Sequence, residues 1–151
     1  RIYAFISDGG IQEEISQGAG RLAGHLGLDN LIMFYDANEV QLSTRVDEVD
    51  SEDVAMKYRA WGWEIFDING NDPEEIRRAL DGAIAVKGKP SLIIGHTLMA
   101  KGAIDKEGIY PWSAALQGRC RHPSYHCRSR WRSGRSLCHL PGGAGVLRQA
   151  A

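Results

Sequence analysis

Four short apolar runs, each bounded by turn residues and separated by segments of helical period, most constrain what this chain can become. Ile2 to Ile6 (IYAFI) and Leu31 to Tyr35 (LIMFY) are unbroken, as strands covered on both faces of a parallel sheet tend to be. Trp63 to Ile68 (WEIFDI) alternates with period two, and Pro90 to Gly95 (PSLIIG) is again continuous. Between the first two runs, Ile11, Ile15, Leu22 and Leu26 recur at helical spacing and predict one glycine-rich helix with these residues on its apolar face. Ser51 to Ala60 reads as a second helix. Asp72-Pro73-Glu74-Glu75 opens a third: Asp72 suits the N-cap, Pro73 the first helical position and Glu75 a capping box. That helix is expected to run to about Lys87, with Gly88 as the left-handed residue after its end. The order β-α-β-α-β-α-β predicts an α/β fold with a doubly wound parallel sheet and right-handed crossovers.

Gly18, Ala19, Gly20, Ala23 and Gly24 make the first helix unusual, because each glycine costs roughly 1 kcal/mol of helix propensity relative to alanine. The cost implies close packing, either against its own sheet or against a helix of a second subunit. Trp61 and Trp63 read as core or interface packing. The acidic run from Asp47 to Asp53 reads as a solvated loop and helix start, favourable to the helix dipole.

Ligands of such sheets sit beyond the carboxyl ends of the strands. Asp8, Asp36, Asn38 and His96 all fall there. Ser7-Asp8-Gly9-Gly10 turns the chain out of the first strand, where glycine allows close backbone approach and the following helix start offers free N–H groups to a phosphate. Asp8 and Asn38 would bring a carboxylate and a neutral amide oxygen to one point. Mg2+ favours such oxygen donors and commonly leaves its other positions to substrate phosphates. The plainer alternative is that Asp8 caps the helix and Asn38 makes a turn. His96 is the better histidine for a cofactor contact; His25 reads as a core or groove histidine.

A break in composition divides the chain. All nineteen acidic residues lie at or before Glu107, where they outweigh eleven Lys and Arg. From Gly108 onward there are seven Arg, three Cys and three His, with no Asp, Glu or Lys. Arg119 to Arg135 has no apolar period, so neither strand nor amphipathic helix is expected there. Cys120, His122, His126, Cys127, Cys138 and His139 lack the paired spacing of a zinc finger, apart from His122 and His126. Residues 1–107 are therefore read as a partial domain and 108–151 as an irregular basic tail. Its abrupt onset is what a reading-frame shift would produce, so the tail is taken as non-native. The chain opens at Arg1 without an initiator Met and reads as a piece of a longer protein. It holds no run of about 18 apolar residues, so no membrane partner is expected. Nor is a nucleic-acid partner, beyond salt-sensitive phosphate contact by the Arg-rich run.

The motifs SDG-x3-E, AGHLGLDNLIMFYDAN, SEDVAMKYRAWGWEI, NGND and KPSLIIGHT, spread over Arg1 to Glu107, resemble the thiamine-diphosphate-binding domain of the transketolase family. The resemblance implies the thiamine-diphosphate-binding fold, Mg2+ (with Ca2+ or Mn2+ as substitutes) and transfer of a two-carbon ketol group between sugar phosphates. That is cytoplasmic chemistry of the pentose phosphate pathway. By the same resemblance Asp8, Asn38 and the backbone carbonyl of Val40 ligate the metal, and Gly9 and Asn38 touch the diphosphate. Asp36 then lies near the thiazolium, Leu42 lies under the cofactor, and Glu13 lies in the subunit contact of a homodimer. The family's site is completed by a pyrimidine-binding domain absent here, so the chain alone is expected to be inactive. Departures are Ser7 for a usual Gly, Gly18 for a second glutamate, Ser43-Thr44 for Asp-Gly, Ala100 for a glycine, and no Ser-x-His-Gly motif after Glu107. The alternatives are a non-catalytic Rossmann-like nucleotide module, against which no G-x-G-x-x-G follows the first strand, and another thiamine enzyme such as deoxyxylulose-phosphate synthase or dihydroxyacetone synthase.

Overall fold

A computed structural model describes residues 1–41 and 44–102, together with a short strand pair farther on. Four strands, β1 (Ile2–Ser7), β2 (Leu31–Ala37), β3 (Glu64–Asn69) and β4 (Ser91–His96), form one parallel sheet in the order β1-β2-β4-β3. The sheet is α/β and doubly wound, as the alternation of elements predicts. β4 is the last of the four in sequence, yet it inserts between β2 and β3, and its Leu92, Ile93 and Ile94 are buried on both faces.

Each face of the sheet has its own core. On one side Ile11, Ala23, Tyr35, Ala37, Tyr58, Trp63, Leu92 and Ile94 pack together, drawn from the sheet and from α1 (Asp8–Gln12), α2 (Glu14–His25) and α3 (Val54–Ala60). On the other, Ala79 and Ala83 of α4 (Pro73–Ala85) meet Ile32 and Ile93. α4 packs on β3 and β4, so nothing among the described residues covers the same face of β1. Phe5 is 82% exposed there and touches only the edge of the core through Phe34, with ring centroids 5.7 Å apart. The expectation that β1 is buried on both faces is thus corrected: its apolar run is continuous, but only one side of it is covered.

The first connection also differs. Instead of one helix there are two, because Glu13 adopts extended backbone (φ −63°, ψ 133°) and starts α2 as its N-cap residue. The apolar face is reversed as well. Ile11 is buried, but Ile15 is 87% exposed and Leu22 and Leu26 also face outward. Gly20, Ala23 and Gly24 turn inward in their place: Trp63 Nε1 donates to the Gly20 carbonyl at 2.8 Å, and the Tyr58 and Trp61 rings lie against Gly20. A Cβ at Gly24 would lie 1.9 Å from the Trp61 carbonyl oxygen. Gly20 and Gly24 therefore serve contact with the chain's own core, where bulky aromatic side chains fill the space that larger helix residues would need, whereas Gly18 faces open space.

α3 begins at Val54, not Ser51, because Asp53 caps it by accepting from Met56 N at 2.8 Å. At α4 the cap is half as expected. Asp72 accepts from Glu74 N at 2.9 Å, but Glu75 reaches past it to Asn69 N at 2.7 Å, since Asp72 N already donates to the Asn69 carbonyl. α4 ends at Ala85, two residues early, and Gly88 is left-handed at φ +73°. Its N–H donates to Asp29 at 3.1 Å.

Packing separates Arg1–Ser113 from Ala114–Ala151. Within the latter, His126–Cys127 pairs antiparallel with Cys138–His139, a strand pair too short for sequence periodicity to register. The remaining readings of residues 103–151 fall outside the described residues. Among the described residues no helix is long and apolar enough to cross a membrane.

Two substitutions on one helix should act in opposite directions. Gly24→Ala collides with the Trp61 backbone and is expected to lower unfolding free energy by about 1–3 kcal/mol, whereas Gly18→Ala, with nothing within 4 Å, should raise it by about 0.5–1 kcal/mol. Urea melts of both variants read the signs. The Tyr58 hydroxyl is buried without a hydrogen-bond partner, and burial pushes its pKa up to about 12. Tyr58→Phe should accordingly be neutral or stabilising in the same melts.

Candidate functional site

Register brings the candidate residues to one edge. Ser7 pairs with Asp36 and Asp36 with Gly95, while Ala37 and Asn69 both pair with His96. Asp8 follows β1 and Asn38 follows β2, so parallel pairing of neighbouring strands sets their side chains together. The N-cap of α1 is Ser7, and Asp8 is the helix's first residue, so the reading of Asp8 as a cap does not apply.

Asp8 is 1% exposed. Tyr35 Oη donates to its Oδ1 at 2.7 Å, and Asn38 N donates to its Oδ2 at 3.1 Å. Burial raises its pKa above the usual carboxylate range, while the bonds from Tyr35, Asn38 and Val40 pull the other way. Burial and the Asp8 carboxylate together push the Tyr35 hydroxyl further up, so it stays a donor. No Lys, Arg or His among the described residues forms an ion pair with Asp8. A buried carboxylate without a cation is costly, and a bound cation removes that cost.

Asn38 turns its Oδ1 toward its own loop and accepts from Val40 N at 3.1 Å, so the turn expected of it is present. Its Nδ2 donates to Asp36 Oδ2 at 3.2 Å, and Thr97 Oγ1 donates to Asp36 Oδ1. The next residues fold back as a small loop. Val46 N donates to the Glu39 carbonyl at 3.1 Å and Gln41 N to the Thr44 carbonyl at 2.9 Å, with Val40 bridged to Arg45. In that pattern Val40 is the pair whose own N–H and C=O are left out of the ladder. Its carbonyl is spared for another partner. Glu39, between the two candidate ligands, holds a left-handed φ of 63°, and Arg45 bonds its carboxylate at 3.0 Å.

Beside these groups opens a cleft of about 750 Å³ lined by Ser7, Gly9, Gly10, Gln12, Glu13, Glu14, Asn38, Val40, Gln41 and Met99. Gly9 has nothing within 4 Å of a Cβ position, so its backbone faces open space that a side chain would enter. Among the described residues no three His, Cys, Asp or Glu side chains gather as a metal cluster. A cation would rest on one carboxylate and neutral oxygens, a set that fits Mg2+ with phosphate oxygens completing it.

Asp8, Gly9, Asn38 and Val40 are thus brought together, with Glu13 at the rim of the cleft. Asp36 adjoins them through its two bonds. His96 does not join them: its Nε2 lies 2.8 Å from Asp67 Oδ1, on the β3 side of β4. Leu42 lies outside the described residues. Tyr35 and Thr97 were missed. Tyr35 ends an apolar run and reads as core, although a tyrosine three residues before Asn38 carries a hydroxyl that a buried site must satisfy.

Comparison with known proteins bears on the family and the fold. The family model described as "Transketolase, thiamine diphosphate binding domain" matches residues 1–118. A transketolase of Physarum polycephalum is 43% identical over 110 residues, 72% of this chain and 17% of the relative. Transketolase 2 of Xanthobacter flavus is 38% identical over 109 residues, again 72% of this chain and 16% of the relative. The crystal structure of transketolase from Campylobacter jejuni superposes with a TM-score of 0.70 at 44% identity, covering 72% of this chain and 17% of that one. A Pichia stipitis transketolase variant solved with fructose-6-phosphate gives 0.67 at 35% identity, over 70% of this chain and 16% of that one. The chain is a parallel α/β sheet with its candidate residues gathered at the carboxyl ends of the strands. The chain belongs to the transketolase family, through its thiamine diphosphate binding domain. It spans about a sixth of the length of these relatives.

A carboxyl pKa raised in the fold means the folded chain keeps its proton to higher pH than the unfolded chain, so stability falls as pH rises from about 4 through the folded pKa. Asp8→Asn keeps a partner for both Tyr35 Oη and Asn38 N but removes the charge. In metal-free buffer it should raise the urea midpoint at pH 7, with the gain shrinking toward pH 4.

Proposed function

We propose that this chain is the metal and diphosphate anchor of a thiamine-diphosphate- and Mg2+-dependent transketolase that moves a two-carbon ketol group between sugar phosphates. The observation that carries the reading is the buried, cation-free Asp8 carboxylate beside Asn38 and the spared Val40 carbonyl, at the mouth of a cleft. In this reading Asp8, Asn38 and Val40 hold Mg2+, with Ca2+ or Mn2+ able to replace it. Gly9 lets the diphosphate approach the backbone, and Asn38 faces both metal and phosphate. Asp36 and Leu42 belong to the thiazolium side. When bound, thiamine diphosphate supplies the carbanion chemistry of its thiazolium ring. The protein residues named here bind and orient; none of them is a proton carrier in the reaction.

Ligation by Asp8 requires its carboxylate, and a divalent cation stabilises that form against the desolvation that otherwise favours protonation. Sugar phosphates as substrates are supported by the complex of the Pichia stipitis relative with fructose-6-phosphate. A homodimer is supported by the outward stripe of Ile15 and Leu22 on α2 and Leu26 at its C-cap, with Glu13 at the head of that helix. The setting is the cytoplasmic pentose phosphate pathway. The reactive end of the cofactor needs parts beyond this chain, so the 151 residues alone are expected to bind without turning over. Residues 1–107 form the partial domain of this reading and 108–151 a non-native tail; a coding-frame reading of the DNA past Glu107 that shows no Ser-x-His-Gly in any frame would remove the second half of that statement.

Calorimetric titration tests the anchor. Thiamine diphosphate and Mg2+ together should give heat, and either alone much less. Asn38→Ala removes a ligand to a charged centre, worth ~1.5–3 kcal/mol, and should weaken binding about ten- to hundredfold. Metal-independent uptake of an adenine nucleotide would instead favour the nucleotide-binding module.

A further inference from the structure

Thr97 follows β4 and touches neither the cleft nor Asp8, yet it ends a chain of hydrogen bonds that reaches a candidate metal ligand. Its hydroxyl donates to Asp36 Oδ1, and Asp36 Oδ2 accepts from Asn38 Nδ2 at 3.2 Å. Its backbone N–H is tied to the Ala37 carbonyl at 3.2 Å, so the hydroxyl is carried on a fixed support. An ionised carboxylate only accepts. Asp36 can therefore face only the NH2 side of the Asn38 amide, which turns Oδ1 away from it. On the opposite side Val40 N–H, a donor, requires an oxygen and meets Oδ1 at 3.1 Å. Both neighbours impose the same orientation on a group that is nearly symmetric in shape and opposite in charge at its two ends.

We infer that Thr97 is a positioning residue of the metal site: through Asp36 it holds the Asn38 amide with Oδ1 facing the loop and the cation. The inference rests on the reading of Asn38 as a ligand. It also gives Asp36 a part beyond the one proposed above, since both its oxygens are engaged by protein donors. Without the Thr97 hydroxyl, the Asp36 carboxylate can rotate about its side-chain torsion, and an Asn38 amide turned over would present NH2 to a cation, which repels it. Outer partners of metal ligands that are removed commonly cost 10- to 100-fold in affinity, a scale of about tenfold or more here.

The test compares Thr97→Val, which keeps shape and loses the hydroxyl, with Thr97→Ser, which keeps the hydroxyl. Two readouts are taken on the 151-residue chain: 15N NMR exchange of the Asn38 side-chain amide protons without ligand, and Mn2+ binding with thiamine diphosphate followed by electron paramagnetic resonance. Thr97→Val should speed the amide exchange and weaken Mn2+ binding by about tenfold or more, while Thr97→Ser stays within about twofold of wild type in both. Asp36→Asn, which can offer NH2 to the Asn38 amide, should reproduce the Thr97→Val loss. Unchanged amide exchange in Thr97→Val overturns the inference, as does an equal loss in Thr97→Ser. If Asn38→Ala abolishes Mn2+ binding and Thr97→Val leaves it intact, the inference alone fails. If wild type takes up no Mn2+ with thiamine diphosphate, the reading of the site beneath it fails.

Discussion

The Asp8 carboxylate, removed from water and held by the Tyr35 hydroxyl and the Asn38 backbone N–H, is the interaction on which the candidate site depends. Two neutral donors satisfy its geometry but not its charge. In the proposed reading, the same arrangement that destabilises a bare carboxylate in the fold would make it a strong ligand for a cation, because low-dielectric surroundings strengthen attraction as they penalise isolation. Parallel pairing of β1 with β2 is what makes the arrangement possible. It fixes Asp8 and Asn38, thirty residues apart, at the same edge without any long loop between them.

The remaining elements serve that edge. β4 lies between β2 and β3 and delivers Thr97 to Asp36, so the central strand fills the core and, in the proposed reading, braces the site. α2 packs through glycine and alanine against Tyr58 and Trp63, which brings the helix close to the sheet. Such an approach displaces the larger apolar residues outward. Ile15, Leu22 and Leu26 are then exposed, and their exposure is the structural cost of the close packing within.

Much of this was legible in the sequence. The four apolar runs, the Asp72-Pro73 helix start and the placement of Asp8 and Asn38 rest on local rules that tertiary contacts did not override. The misreadings share a cause. Periodicity reports that a helix has an apolar face, but not whether that face or the small-residue face meets the core, so it gives α2 the opposite orientation from the observed one. A continuous apolar run reports low polarity, not coverage, and Phe5 lies bare because α4 packs two strands away. The break at Glu13 carries no proline or other stop signal. Tyr35 and Thr97 act through hydroxyls whose partners come from other strands, and no spacing rule along one segment reveals such a pairing.

Anomalous diffraction from crystals of the chain grown with Mn2+ and thiamine diphosphate tests the central claim most directly, since it locates the cation against named oxygens. The expected result is one peak about 2 Å from a carboxylate oxygen of Asp8, Oδ1 of Asn38 and the carbonyl oxygen of Val40. A peak elsewhere, with Asp8 still bonded only to Tyr35 and Asn38, would contradict it.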